Sequence, residues 1–272
     1  MTAITAPARV AVDRRPRMAW LRVFEHEFLV YRRSWRGTLF TTFLSPVLFL
    51  AAMGIGLGTF VDQSSPAALG GIPYLAFLGP GLIAAQAMQT AAFESTYPVM
   101  AGIVWLKTFD AMLATPVRVQ DVVIGKLLWI TARLAMVTGV FLVVMFLFGA
   151  VASPRAVLAW PVAVLTGLAF ATPIAAFAAT QTKDDGFAAL FRFGITPLFL
   201  FSGTFFPISQ LPELIRPVAY LTPLYHGVQL SRDLSLGTGD LVSVVEHLGT
   251  LIAFVAAGMA FCFITFRRRL VK

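Results

Sequence analysis

Two charged side chains of this chain are candidates for membrane depth. Arg133 lies within one long apolar stretch, and Glu94 lies late in the stretch before it. A charge at membrane depth is costly and normally faces a bundle interior, a counter-charge or a polar pathway. Both residues are therefore candidates for a path through the membrane, with packing across a bundle interface as the plainer alternative. Reaction chemistry finds less support. His26, His226 and His247 are too dispersed for a metal site. The single cysteine, Cys262, supplies neither a disulfide nor a metal cluster. The run Gly102-Ile103-Val104-Trp105-Leu106-Lys107-Thr108 ends like a phosphate-binding loop but lacks the glycine before its lysine, and Trp105 would obstruct backbone wrapping. The sequence contains no Gly-x-Ser-x-Gly. No catalytic residue and no metal ligand is assigned.

The elements that must position these charges follow from composition. The chain is 58% hydrophobic and 12% charged, against about 25% charged in a soluble domain. Six stretches approach the roughly 20 apolar residues that a spanning helix needs: Thr38–Val61, Tyr74–Tyr97, Val122–Phe148, Ala156–Thr180, Ala188–Phe206 and Val244–Phe266. In lipid the backbone must satisfy its own hydrogen bonds, so the expected fold is an all-α integral membrane protein with six transmembrane helices. The net charge of +8 is distributed unevenly. Eight arginines precede the first stretch, and Arg267, Arg268, Arg269 and Lys272 follow the last. With Lys107, Arg118, Lys126, Lys183 and Arg192, one side carries 17 basic residues; Arg155, Arg216 and Arg232 give the other side 3. This asymmetry places both termini in the cytoplasm and explains the basic balance without nucleic acid. Membrane lipids are the expected surroundings, with anionic headgroups a secondary attraction.

Three divisions follow along the chain. Residues 1–18 form a basic cytoplasmic tail expected to be disordered. Residues 19–36 are expected to form an amphipathic interfacial helix with Trp20, Phe24, Phe28, Tyr31 and Trp35 on one face, the plainer alternative being a cytoplasmic helix packed on the body of the protein. Residues 37–272 form a single six-helix domain. Gly54 and Gly58 have the spacing of a close helix contact, either within the bundle or between two chains. Gly79-Pro80-Gly81 should kink or break the second span. Residues 105–114 should make a short cytoplasmic helix, with Trp105, Phe109, Met112 and Leu113 near one face and Lys107 and Asp110 away from it. Pro116 stops it, and Asp121 caps the next span. Such a helix suits a groove in a partner protein. The apolar but proline-interrupted run at about 207–224 should form external re-entrant helices.

Phe93-Glu94-Ser95-Thr96-Tyr97 and Thr108 through Pro116, together with Ser202-Gly203-Thr204-Phe205-Phe206-Pro207, Leu211-Pro212 and Pro223-Leu224 through Arg232, resemble the permease subunits of type-2 ABC exporters. The likeness is nearest the nodulation-factor exporter branch, with daunorubicin-type drug exporters next, and covers nearly the whole chain from residue 19. It implies a non-catalytic permease in a bacterial inner membrane that exports an amphiphilic drug, glycolipid, lipo-oligosaccharide or polysaccharide precursor. It also implies two separate ATPase subunits holding ATP and Mg, and a second permease copy or paralogue. Trp105, Lys107, Thr108, Phe109, Asp110, Met112 and Leu113 would then couple to the ATPase. Phe205 and Phe206 would lie at an external gate, and Glu94 and Arg133 along the path. The rival readings are an ion-coupled secondary carrier, which needs paired acidic residues at the midplane, and a membrane-embedded lipid-modifying enzyme using His226, Asp233 or Glu213.

Overall fold

A computed structural model describes residues 18–64 and 71–271, with the side chains of residues 39–41, 55 and 64 excepted. The tail expected over 1–18 therefore lies outside the described residues apart from Met18. Every element is helical, and the described residues contain no strand.

The first is α1 (Ala19–Phe49), continued by a π-helical stretch over Leu50–Leu57 and by α2 (Gly58–Ser64). The helix expected over 19–36 and the first span are thus one continuous helical run that passes through Gly37 without a break; Pro46 is accommodated inside α1. The aromatic face of the N-terminal half packs on the body of the protein. Phe24, Phe28 and Tyr31 surround Trp129 with ring centroids 5.9, 6.5 and 5.4 Å away. Trp35 is exposed.

Next comes α3 (Tyr74–Ser95), which runs through Pro80 without interruption. Asp62 in α2 accepts the backbone N–H of Tyr74 at 2.9 Å, satisfying one of the orphan donors at the start of α3. Gly54 and Gly58 lie against Leu75 and Tyr74, so within this chain their spacing serves packing against α3. The chain then passes through α4 (Tyr97–Met100), a π-helical turn over Ala101–Trp105 and α5 (Thr108–Leu113). The helix α6 (Val119–Leu147) follows, and the Asp121 carboxylate accepts the Arg118 N–H at 2.9 Å, as a capping residue should. A 3-10 turn over Pro154–Leu158 leads into α7 (Ala159–Thr180). The segment α8 (Asp185–Ala189), a π-helical stretch over Leu190–Ile195 and α9 (Thr196–Phe201) form one run that ends at Ser202. The fifth span was expected to reach Phe206. It stops five residues earlier because Gly203 adopts a φ of 81° that a helix does not accept. After a 3-10 turn at Ile208–Gln210 come α10 (Arg216–Tyr220), α11 (Pro223–Leu236) and α12 (Leu241–Leu270).

Four stretches are helical, long and apolar enough to cross a membrane: Thr42–Gln63, Val119–Leu147, Pro154–Thr180 and Leu241–Leu270. The helix α3 matches its expected start, but glycines, Pro80, Gln86 and Gln89 dilute its hydropathy. It tolerates them because protein surrounds it: nearly every residue from Tyr74 to Ala92 is buried, against α6, α7 and α11. Apolar surface gives little drive for helix association in lipid, so close approach of small side chains must supply it. The alanine-rich α7 does this at the centre, in contact with α3, α6, α11 and α12.

Candidate coupling and gate sites

Lys107 has a left-handed backbone (φ 50°), the only non-glycine positive φ among the described residues. It divides the helix expected over 105–114. Trp105 ends the preceding π turn, and α5 starts afresh at Thr108. The helical period therefore does not carry across Lys107, and the expected apolar face is divided. Phe109 is 1% exposed, packed under Gly102 and 6.2 Å from the ring of Phe266 in α12. A Cβ on Gly102 would stand 2.6 Å from the Phe109 ring, so only glycine admits this contact. Phe109 thus anchors α5 within this chain. Trp105 and Leu106 are exposed, as are Lys107, Asp110 and Ala111, while Thr108, Met112 and Leu113 are half-buried. Open grooves flank α5 on both sides. One, of about 600 Å³, lies between Lys107, Asp110 and Arg269. The other, of about 350 Å³, lies between Thr108, Ala111, Met112 and the start of α1 at Arg22 and His26.

Glu94 and Arg133 find each other. Arg133 Nε donates to Glu94 Oε1 at 3.0 Å, and the guanidinium also lies over the Tyr31 ring at 4.6 Å. This links α3, α6 and α1. Both side chains are largely buried, and Arg133 Nη1 has no partner among the described residues. A second pair lies nearby. Lys126, 2% exposed, donates to Glu27 at 3.0 Å. Sequence counting placed Lys126 among the cytoplasmic loop residues; it is a buried bond between α6 and α1. Its signal was available, since Glu27 falls on the same face of α1 as the Trp129-packing aromatics.

Phe205 and Phe206 diverge. Phe205 packs 5.0 Å from Phe199 and 6.2 Å from Phe49, and its carbonyl accepts from Tyr74 Oη at 3.3 Å. Phe206 instead packs on the small cluster of Ile208, Leu211 and Ala219.

Two arrangements were missed. Arg232 was counted as a loop residue, yet it is 7% exposed. Its Nε donates to Phe77 O at 3.2 Å, Nη2 to Gly203 O at 2.8 Å and Nη1 to Gln229 Oε1 at 2.7 Å, with the guanidinium 3.8 Å over the Phe77 ring. Gly81 makes room, because a Cβ there would stand 3.0 Å from Thr204 O and 3.2 Å from Arg232. Three separate stretches, around Gly79-Pro80-Gly81, Ser202-Gly203-Thr204 and Leu224–Arg232, thus meet at one side chain. The second arrangement joins α11 to α12: His226 Nδ1 and His247 Nδ1 are 2.8 Å apart, and His226 Nε2 lies 3.0 Å from Tyr220 O. A carbonyl only accepts, so His226 is protonated on Nε2 and His247 donates from Nδ1. Burial, then the neighbouring His247, pull the His226 pKa below its ordinary value. Asp233, which the enzyme reading invoked, accepts from Ser243 at 3.4 Å. Among the described residues no group of three or more His, Cys, Asp or Glu is placed to hold a metal.

The sequence profile of the family described as "ABC-2 type transporter" matches residues 18–236. Among similar characterised proteins, "Nodulation protein J" of Rhizobium leguminosarum bv. trifolii is 31% identical over 93% of this chain and 94% of its own length. "Nodulation protein J" of Rhizobium meliloti (strain 1021) is 30% identical over 93% and 94%. "Inner membrane transport permease YadH" of Escherichia coli (strain K12) is 23% identical over 90% and 93%.

Proposed function

Because this chain belongs to the ABC-2 type transporter family, we propose that it is the membrane permease of an ATP-driven exporter that moves an amphiphilic molecule outward. Two separate ATPase subunits bind ATP and Mg, and a second permease, identical or paralogous, completes the assembly. Six helices span the inner membrane with both termini in the cytoplasm. The cargo class is an amphiphilic drug, glycolipid, lipo-oligosaccharide or polysaccharide precursor.

The observation that carries this reading is the mounting of α5. A short helix on a left-handed hinge presents Trp105, Lys107 and Asp110 outward, while Phe109 is locked inward on Phe266 of α12. A partner gripping the outer edge moves the inner one. Closure of the ATPases on ATP shifts α5, Phe109 carries the shift into α12, and the Glu27–Lys126 and Glu94–Arg133 pairs carry it between α1, α6 and α3. ATP favours one of two arrangements through its differential affinity for them. Phe205, packed on Phe199 and Phe49, closes the outer end. The carrier reading is weakened, since its best acidic candidate, Glu94, is held by Arg133.

Co-purification with a candidate ABC ATPase subunit tests this. Lys107→Glu with Asp110→Lys should abolish complex formation, and with it substrate-stimulated ATP hydrolysis. The permease itself should stay monodisperse, because both side chains are exposed. Normal assembly by that double variant would remove α5 as the docking element. Phe109→Asp is unsuited to the same purpose: it places a carboxylate in an apolar contact and unfolds the mount itself.

A further inference from the structure

On the basic side of the molecule, a groove of about 440 Å³ runs between the start of α6 and the end of α12. Its polar rim is Arg118 at the N-cap of α6, Gln120 in α6 and Arg267 in α12; its wall is Val119, Phe263 and Ile264. We propose that this groove holds the headgroup of an anionic phospholipid of the cytoplasmic leaflet, with an acyl chain along Phe263 and Ile264. The proposal rests on the orientation given above, with both termini cytoplasmic.

Three observations converge. Arg118 and Arg267 are exposed on different helices, and neither guanidinium has an ion-pair partner among the described residues. Two cations facing one groove repel unless an anion lies between them, and guanidinium matches phosphate in a bidentate fork. Arg268 and Arg269 add to the positive field, and together the arginines outweigh the single negative charge of Asp121, whose carboxylate accepts the Arg118 N–H. The groove is also amphiphilic in the correct direction. Phe263 lies four residues before Arg267 on the same face of α12, about one turn deeper. Phosphate at the arginines thus places the lipid tail on the apolar wall. A free phosphate would use the rim and leave that wall bare. Basic pockets between helices at the cytoplasmic boundary suit anionic headgroups, each arginine contributing through the surface potential.

The full permease, purified and reconstituted in nanodiscs, is compared in phosphatidylcholine alone and with phosphatidylglycerol added, and retained lipid is counted by native mass spectrometry after release. The wild type should retain phosphatidylglycerol selectively. Arg118→Gln with Arg267→Gln should lower retention by about 30-fold, with an unchanged melting temperature because both side chains are exposed. Ile264→Gln should weaken phosphatidylglycerol while leaving any binding of inorganic phosphate intact, and millimolar phosphate should not displace the lipid. Equal retention by the double variant overturns the proposal. So does displacement by phosphate as effective as displacement by added phosphatidylglycerol, which would make the groove a site for the free anion.

Discussion

Arg133 and Arg232 are both arginines buried in an apolar protein, and they are held in different ways. Arg133 meets a carboxylate, Glu94, through Nε and an aromatic face, Tyr31, while its fully buried Nη1 has no partner among the described residues. Arg232 meets no carboxylate in an ion pair; all three of its nitrogens bond to oxygens, two of them backbone carbonyls at Phe77 and Gly203. The first joins three helices by a bond that needs a particular partner side chain. The second joins a proline-containing helix, a left-handed glycine and α11 by bonds to the backbone, which no substitution of side chains on those segments removes. One arrangement depends on the identity of a single partner side chain; the other depends on the backbone of two distant segments.

The largest effect expected is at Arg232. Arg232→Met strands two buried carbonyls and the Gln229 amide, and hydrogen bonds to a charged group contribute about 1.5–3 kcal/mol each. Monodisperse permease should be lost in fluorescence-detected size-exclusion chromatography. Arg232→Lys should recover only part of it, since one ammonium does not span both carbonyls. Full stability of the methionine variant would break the contrast. Next is Glu94→Ala, which leaves Arg133 buried without its counter-charge at a cost of about 3 kcal/mol. Combining Glu94→Leu with Arg133→Met should restore the melting temperature while reducing transport. If transport survives as well, the pair is a packing device alone.

The smallest effect is on pH. Burial and His247 lower the His226 pKa. A group whose folded pKa is depressed contributes stability that is present above its ordinary value, about 6.5, and that declines as pH falls below it. The groups around it are His247, Glu246, Asp233 and the two tyrosines at 220 and 225. Protection factors in Pro223–Leu236, taken against the intrinsic exchange rate at each pH, should therefore fall between pH 7 and pH 5.5, by at most about tenfold per pH unit for one proton. The effect should vanish in His226→Gln. The same pH range should leave the protection factors of amides beside Arg133 unaffected, which sharpens the distinction between the two arginine sites.

Much of this architecture is legible in residue order. The start of α3 at Tyr74, the cap at Asp121 and the aromatic stripe on α1 follow from local rules, because helix ends and amphipathic faces depend on neighbours a few residues away. The unusual character of Glu94 and Arg133 was equally plain from their apolar surroundings. Phe109 illustrates the limit. Periodicity put it on the face with Met112 and Leu113, but periodicity does not say which face meets the body of the protein. Lys107 also reset the phase in a conformation that its residue type does not announce. Arg232 was counted only as a charge on the less basic side, and no residue near it in sequence announces that its partners are the carbonyls of Phe77 and Gly203.

The sequence by itself determined that the chain is helical, that it lies in a membrane and which of its sides carries the basic charge. Each of these depends on composition over roughly 20 residues, which a bilayer reads without reference to the rest of the fold. Only the tertiary structure decided that Arg133 would pair with Glu94, that Lys126 would pair with Glu27, that His226 would face His247, and that Arg232 would gather two distant carbonyls. A buried polar group must find its partner wherever packing brings one within about 3 Å, and that distance is set by helices far apart in the chain.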